Sequence, residues 1–155
     1  MEDSLQSAYQ YLLQHSVLCL STCVENESWV APVFYSVINT QIVFLSAPHT
    51  RHCKNIALNP KVSASIQEDC KDWAEIKGIQ LQGTVSRIED EAIPAVISAY
   101  AEKFPIIGSE APKEIRSALN KVGWFELTVE QLYFIDNSKG FGHRTELSPK
   151  DLFAL

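Results

Sequence analysis

VFLSAPHTRHCKNIALN, residues 43–59, is the stretch on which both the fold and the function turn. Its apolar opening, Ile42 to Leu45, reads as a short strand that passes into Ser46, Ala47 and Pro48. A helix is then expected from Thr50 to Asn59, ended by Pro60. Thr50 is a good N-cap, its hydroxyl placed to accept a bond from one of the first free backbone N–H groups. Arg51, His52 and Lys54 follow in the first turn, where cations oppose the positive end of the helix dipole. A helix built for stability alone would carry Asp or Glu there. Basic side chains beside free N–H groups instead make an anion site of the kind that holds phosphate, and the arginine fork suits phosphate oxygens. The plainer alternative is a capped helix with exposed basic residues. His52 titrates near neutral pH, so it either helps hold an anion when protonated or lies on the helix surface.

Upstream of this stretch, Asp3 to Ser16 carries Leu5, Ala8, Tyr9, Leu12 and Leu13 at helical spacing, with Asp3 or Ser4 placed to cap it. Val17 to Val24 and Trp29 to Ile38 read as a hairpin across the polar Glu25–Ser28. Pro32 cannot donate to a ladder, so an edge or bulge is expected there. Asn39-Thr40 then turns the chain into the strand that ends at Leu45. Downstream, Lys61 to Gln67 alternates as a strand, Glu68 to Asp72 is polar, and Glu75 to Ile88 is a long strand broken by Gly78 and Gly83. Glycine inside a strand marks a bend, a bulge or a close approach. Asp90 to Lys103 is a helix with acids first and a base last, Ile106 to Ala111 a loop, and Pro112 to Leu119 a short helix. Val122 to Ile135 holds two β-rich runs around Thr128-Val129-Glu130, read as a turn, and the tail Asp136 to Leu155 is rich in turn formers. This order predicts a single, mainly β domain. Its architecture is a closed antiparallel barrel of about six to seven strands with peripheral helices. Regular strand–helix alternation and glycine-rich nucleotide loops are absent.

The totals narrow the function. A chain of 155 residues, 46% of them hydrophobic, can bury a real core. The formal charge of −6 and the lack of a basic stripe argue against nucleic acid, and no apolar run is long enough to span a bilayer. The polar, acidic start does not read as a signal or transit peptide. Four cysteines without a C-x-x-C pair read as reduced, mostly buried thiols of a cytoplasmic protein, with Cys19 and Cys23 on one strand face as small core residues. His49, His52 and Cys53 lie close in sequence, but a structural metal needs four well-spaced ligands, and no metal is expected. Gly140 and Gly142 free the backbone around Phe141, so the segment GFGHR is either a flap over a ligand or a turn packed on the barrel.

Three stretches together resemble the pyridoxamine 5′-phosphate oxidase-like FMN-binding split barrels, and most closely their YhbP-like branch. They are VFLSAPHTRHCKNIALNPKVSASI, the glycine-broken IKGIQLQGTVSRI, and AYAEKFPIIGSEAP. The resemblance covers nearly the whole chain and implies FMN bound between the subunits of a homodimer. Thr50 and Arg51 match the family's phosphate-binding hydroxyl and guanidinium. Ser46 matches a strand-end hydroxyl used on the cofactor, with Leu45 beside it. Phe34 falls on the strand that lies along the flavin, and Lys77 on a basic position that reaches FMN from the partner subunit. In this setting Phe141 is the flap residue. Trp29, Phe34, Tyr35 and Trp73 are able to stack on a flavin, although core is the default place for most of them. Two departures stand out: His52 where the family has Lys, and Gly78 near a family Gln. His143 and Arg144 only loosely echo the oxidase's substrate-binding pair, so vitamin B6 oxidation is not carried over. The resemblance implies flavin-dependent oxidoreductase activity on another substrate. The alternative is a non-catalytic module on the same barrel, binding flavin, haem or another anionic ligand.

Overall fold

The computed structural model describes residues 1–155. Its strands are β1 (Val17–Val24), β2 (Glu27–Ile38), β3 (Gln41–Ser46), β4 (Lys61–Gln67), β5 (Lys77–Arg87), β6 (Gly123–Asp136) and β7 (Arg144–Leu147). They are antiparallel in the order β3-β2-β1-β4-β5-β6-β7, and β3 pairs again with β6. Six strands thereby close into the expected barrel, with β7 added outside it. One edge of β6 is shared: β3 takes Gly123–Leu127 and β7 takes Leu132–Ile135. The barrel is split where those two partners separate.

Local chemistry sets these turns. Glu25 and Asn26, between β1 and β2, have φ of 53° and 65°, the left-handed pair that a two-residue hairpin needs. Pro32 faces Cys19 of β1, while β3 covers only Tyr35–Ile38 of β2, so the proline sits on a free edge as expected. Between Gln82 and Gly83 the β5–β6 register slips, from Gln82 opposite Gln131 to Gly83 opposite Val129. Glu130 is the extra residue of a bulge. The turn expected at Thr128-Val129-Glu130 is therefore absent, and β6 runs through without a break. Gly83 is required at this crossing, since a Cβ on it would lie 2.1 Å from the Thr128 carbonyl oxygen.

The helices are α1 (Glu2–Gln14), α2 (Arg51–Leu58), α3 (Ile93–Lys103), α4 (Lys113–Leu119) and α5 (Pro149–Leu152). The first two close opposite ends of the barrel. Helix α1 buries Ala8, Tyr11 and Leu12. Tyr11 donates to the Lys77 carbonyl at 3.1 Å, and Tyr35 donates to that of Leu12 at 2.6 Å. Neither Asp3 nor Ser4 caps it, because the helix starts a residue earlier, after Met1. Helix α2 buries His52, Cys53 and Ile56 at the end where β1 finishes, with Asn55 Nδ2 bonded to Thr22 Oγ1 at 2.9 Å. The barrel interior is filled by side chains of its six strands, which join residues of α1, α2, β7 and α5 in one cluster of 24 buried residues, so it has no central channel. A second cluster, centred on Tyr100 and Trp124, packs α3 and the turn Pro105–Ile107 against the outside of β3 and β6.

Several side chains depart from expectation. Cys19 and Cys23 face outward, because β1 turns Leu18, Leu20 and Thr22 inward; of the four free thiols only Cys53 is buried. Trp29, Phe34 and Trp73 are exposed rather than core, and only Tyr35 is fully buried. The tail forms β7 and α5, not turns alone. No helix is long and apolar enough to cross a membrane.

Candidate functional site

Strand β3 delivers its last side chains to two different places. Residues alternate across a strand, so Phe44 and Ser46 face the barrel interior while Leu45 faces out. Phe34 lies beside Leu45 on that outer face and is 61% exposed. Together with Tyr100, Phe104, Ile106 and Ile107 they line a wholly apolar cavity of about 310 Å³. Phe34 meets Phe104 edge-on at 5.7 Å between centroids, and Phe104 stacks on Tyr100 at 4.9 Å. Tyr100 is 2% exposed, and its hydroxyl is the one buried side-chain polar atom without a hydrogen-bond partner. An unpaired buried donor of this kind costs about 1–3 kcal/mol, and burial raises its pKa. Beside this cavity, the Lys103 ammonium donates to the His15 carbonyl at the end of α1 and rests 4.4 Å above the Tyr35 ring. Burial lowers its pKa to about 8.

The second place is the start of α2. Thr50 occupies the N-cap position, yet its hydroxyl does not cap the helix; it donates to the Ala47 carbonyl at 2.8 Å. The first backbone bond of the helix is Lys54 N–H to Thr50 O, which leaves the N–H groups of Arg51, His52 and Cys53 open. Arg51 is exposed. It lies 4.4 Å above the Trp29 ring and 3.4 Å from Glu27 Oε2, an open ion pair worth roughly 1 kcal/mol or less.

His52 is buried, not a surface residue. Its Nε2 lies 2.8 Å from Ser46 Oγ and 3.4 Å from Thr50 Oγ1. Burial lowers its pKa, so the ring is held neutral and supplies no second cation. The sequence carried a signal for this: His52 precedes Ile56 by four residues, which puts the two on one face of the helix.

Phe34, Leu45, Ser46, Thr50, Arg51 and His52 thus gather along the end of β3 and the start of α2. Lys77 and Phe141 do not join them. Lys77 opens β5 at the opposite end of the barrel, beneath α1. Phe141 is 84% exposed and meets Trp73 edge-on at 5.6 Å, in a turn where Gly140 and Gly142 have φ of 139° and 70°. This turn stands at the Lys77 end, since Asn137 N–H bonds the Ile76 carbonyl. Tyr100, Phe104 and Ile107 were missed as site residues, although all three lie in AYAEKFPIIGSEAP. Their periodicity marked a helix face without showing what it would cover.

Comparison with known proteins identifies the family and supports the fold. The pyridoxamine 5′-phosphate oxidase family model matches residues 5–136. A UPF0306 protein of Photorhabdus laumondii is 30% identical over 144 residues, covering 92% of this chain and 94% of its own. The UPF0306 protein YhbP of Salmonella arizonae is 26% identical, covering 92% and 91%. Among solved structures, a haem binding protein from Mycobacterium smegmatis superposes with a TM-score of 0.77 at 18% identity; 97% of this chain is covered, but the chain spans only 60% of that protein's length. An FAD-binding protein from Mesorhizobium loti gives a TM-score of 0.65 at 16% identity, covering 92% and 94%. At such identities the two structures speak for the barrel alone. With the matched model and the full-length relatives beside the barrel, the chain belongs to the pyridoxamine 5′-phosphate oxidase family, in its UPF0306, YhbP-like branch.

Proposed function

We propose that this protein binds FMN at an interface between two copies of the chain and uses it as a flavin-dependent oxidoreductase. One observation carries the reading: an open, uncapped helix start bearing Arg51 is joined through Leu45–Thr50 to a wholly apolar slot walled by Phe34. That pairing suits a ligand with a phosphate at one end and a flat ring at the other. Arg51 and the free N–H groups would hold the phosphate. Thr50 would join them by exchanging the Ala47 carbonyl for a phosphate oxygen. With His52 neutral, the positive charge comes from Arg51 and the helix dipole alone.

Ser46 fixes the His52 ring and so sets the floor under the phosphate. Phe34 and Leu45 would lie along the ring, and the unpartnered Tyr100 hydroxyl is a donor for an acceptor atom in the slot. When bound, the flavin supplies the electron transfer, and the protein supplies binding and orientation. Lys77 and Phe141 sit at the far end of their own barrel, so they reach this ligand only from a partner subunit. Exposed Val30 and Phe34, on the outward face of β2, provide an apolar surface for that partner.

The test is a spectrum of freshly purified protein, followed by anaerobic addition of NADH or NADPH. A flavin band that bleaches supports the oxidoreductase. A band that persists favours a binding module. A protein that stays colourless and ignores added FMN overturns the reading. A second ligand, haem, is favoured by the slot's lack of lining charge and by the superposed haem binding protein. A Soret band in the same spectrum would identify it.

A further inference from the structure

Helix α2 covers its end of the barrel incompletely. Between it, the end of β5 and the start of β6 is a cavity of about 310 Å³. Its floor is barrel core: Ile56, Val85 and Phe125 all belong to the interior cluster. Its rim carries two cations, Lys54 from α2 and Arg87 from the last residue of β5. Arg87 shares the inward face of β5 with Val85, two residues before it, so it leans across the barrel mouth rather than away. Gly123 of β6 lies beside it: a Cβ there would be in ordinary contact with Arg87 Nε at 3.7 Å and would crowd the Phe125 ring of the cavity floor at 3.0 Å. Neither cation has an acidic partner, for the chain's three ion pairs are His15–Glu68, Arg51–Glu27 and Lys139–Asp3. In a chain with 19 acidic and 13 basic residues, two exposed cations without an acid over an apolar hollow are not a typical patch of its surface.

We infer that this half-open barrel mouth is a second ligand site, taking a small amphipathic anion whose apolar body lies on Ile56, Val85 and Phe125 and whose carboxylate meets Lys54 and Arg87. The two halves of the site match such a molecule. Apolar floor removed from water favours the hydrocarbon by about 25 cal/mol per Å², while the rim leaves the charged head at the water margin. Arginine and lysine both give charge-assisted bonds to a carboxylate. The site is separate from the one proposed for FMN. Arg51 turns from the helix start toward Trp29 of β2, whereas Lys54 borders the cavity that faces β5.

The probes are octanoate and its neutral counterpart 1-octanol, titrated into the full chain by calorimetry and by methyl NMR. Octanoate is expected to bind saturably, moving the methyls of Ile56 and Val85 and leaving that of Leu45 still. Octanol should bind about tenfold more weakly, the share of one charge-assisted contact. Arg87→Met should weaken octanoate severalfold without changing octanol, and adding Lys54→Met should bring octanoate down to the octanol level. Ala57→Phe, at an exposed cavity-lining position, should block both. Equal affinity for the two probes, an unaffected Arg87→Met, saturable shifts at Leu45 instead, or no saturable binding would each overturn the proposal. No flavin enters this test, so failure of the FMN reading leaves it intact.

Discussion

At the α2 start, Arg51 and His52 are neighbours in sequence with opposite fates. Arg51 lies out over Trp29 with a weak hold on Glu27; His52 turns in to Ser46. Arg51→Ala should therefore cost little stability but lower FMN affinity about 10- to 100-fold, the worth of charged hydrogen bonds to phosphate. Arg51→Lys should restore only part of it, because an ammonium cannot make the two-pronged contact. Fluorescence titration against folding midpoint separates the two effects. The folded-state pKa of His52 lies below its unfolded value, so the unfolded chain takes up its proton first. The His52 contribution to stability is then fully present above about pH 6.5 and is lost as pH falls below that toward the lowered folded value. Urea midpoints between pH 7.5 and 5 should fall with acidity, and His52→Asn should flatten that part of the slope. An equal slope in the variant would clear His52. Residue types were legible here, side-chain directions less so. Thr50 reads as an N-cap in any sequence, but the nearby Ala47 carbonyl, a property of the loop, takes its hydroxyl instead.

Among the elements, β5 and β6 carry the barrel's closure. Glycine punctuation made β5 readable, and Gly83 proves to be the close approach that such a residue announces. Gly83→Ala drives a Cβ into the Thr128 carbonyl at the bulge. It should destabilise the fold by about 1–3 kcal/mol or more, read as a lower denaturation midpoint with FMN affinity per folded molecule unchanged. The turn wrongly expected at Thr128-Val129-Glu130 has the same origin. One surplus residue, Glu130, breaks the two-residue alternation, and a bulge and a turn look alike in sequence. Strand β7, only four residues long with Leu147 its one buried member, has too little pattern to reveal itself. What the outward faces of β2 and β3 would meet was not legible for another reason. Periodicity finds the face that meets the barrel core, but Phe34 and Leu45 meet a second layer built by α3, more than fifty residues later in the chain.

Over the whole molecule, the barrel divides the expected site residues between two ends. Ser46, Thr50 and Arg51 lie at the α2 end, Lys77 and Phe141 at the α1 end. If two copies build each FMN site, Arg51→Ala and Lys77→Ala are defects of different subunits at the same site. Mixed and re-equilibrated, the two inactive variants should regain part of the FMN binding that each lacks alone. No recovery on mixing, with both variants folded and able to exchange subunits, would confine the site to one chain. The barrel itself was open to sequence reasoning because strand order, turn residues and helix plugs agree. The surface that a second copy would cover in the proposed dimer was not, since nothing in one chain's periodicity marks which apolar surface another chain would cover. The grip of the α2 start on a phosphate is best tested by titrating FMN and riboflavin into the same protein. The account predicts FMN tighter by about 100-fold or more, a gap that shrinks sharply in Arg51→Ala. Equal affinity for the two flavins, or binding to neither, would contradict it.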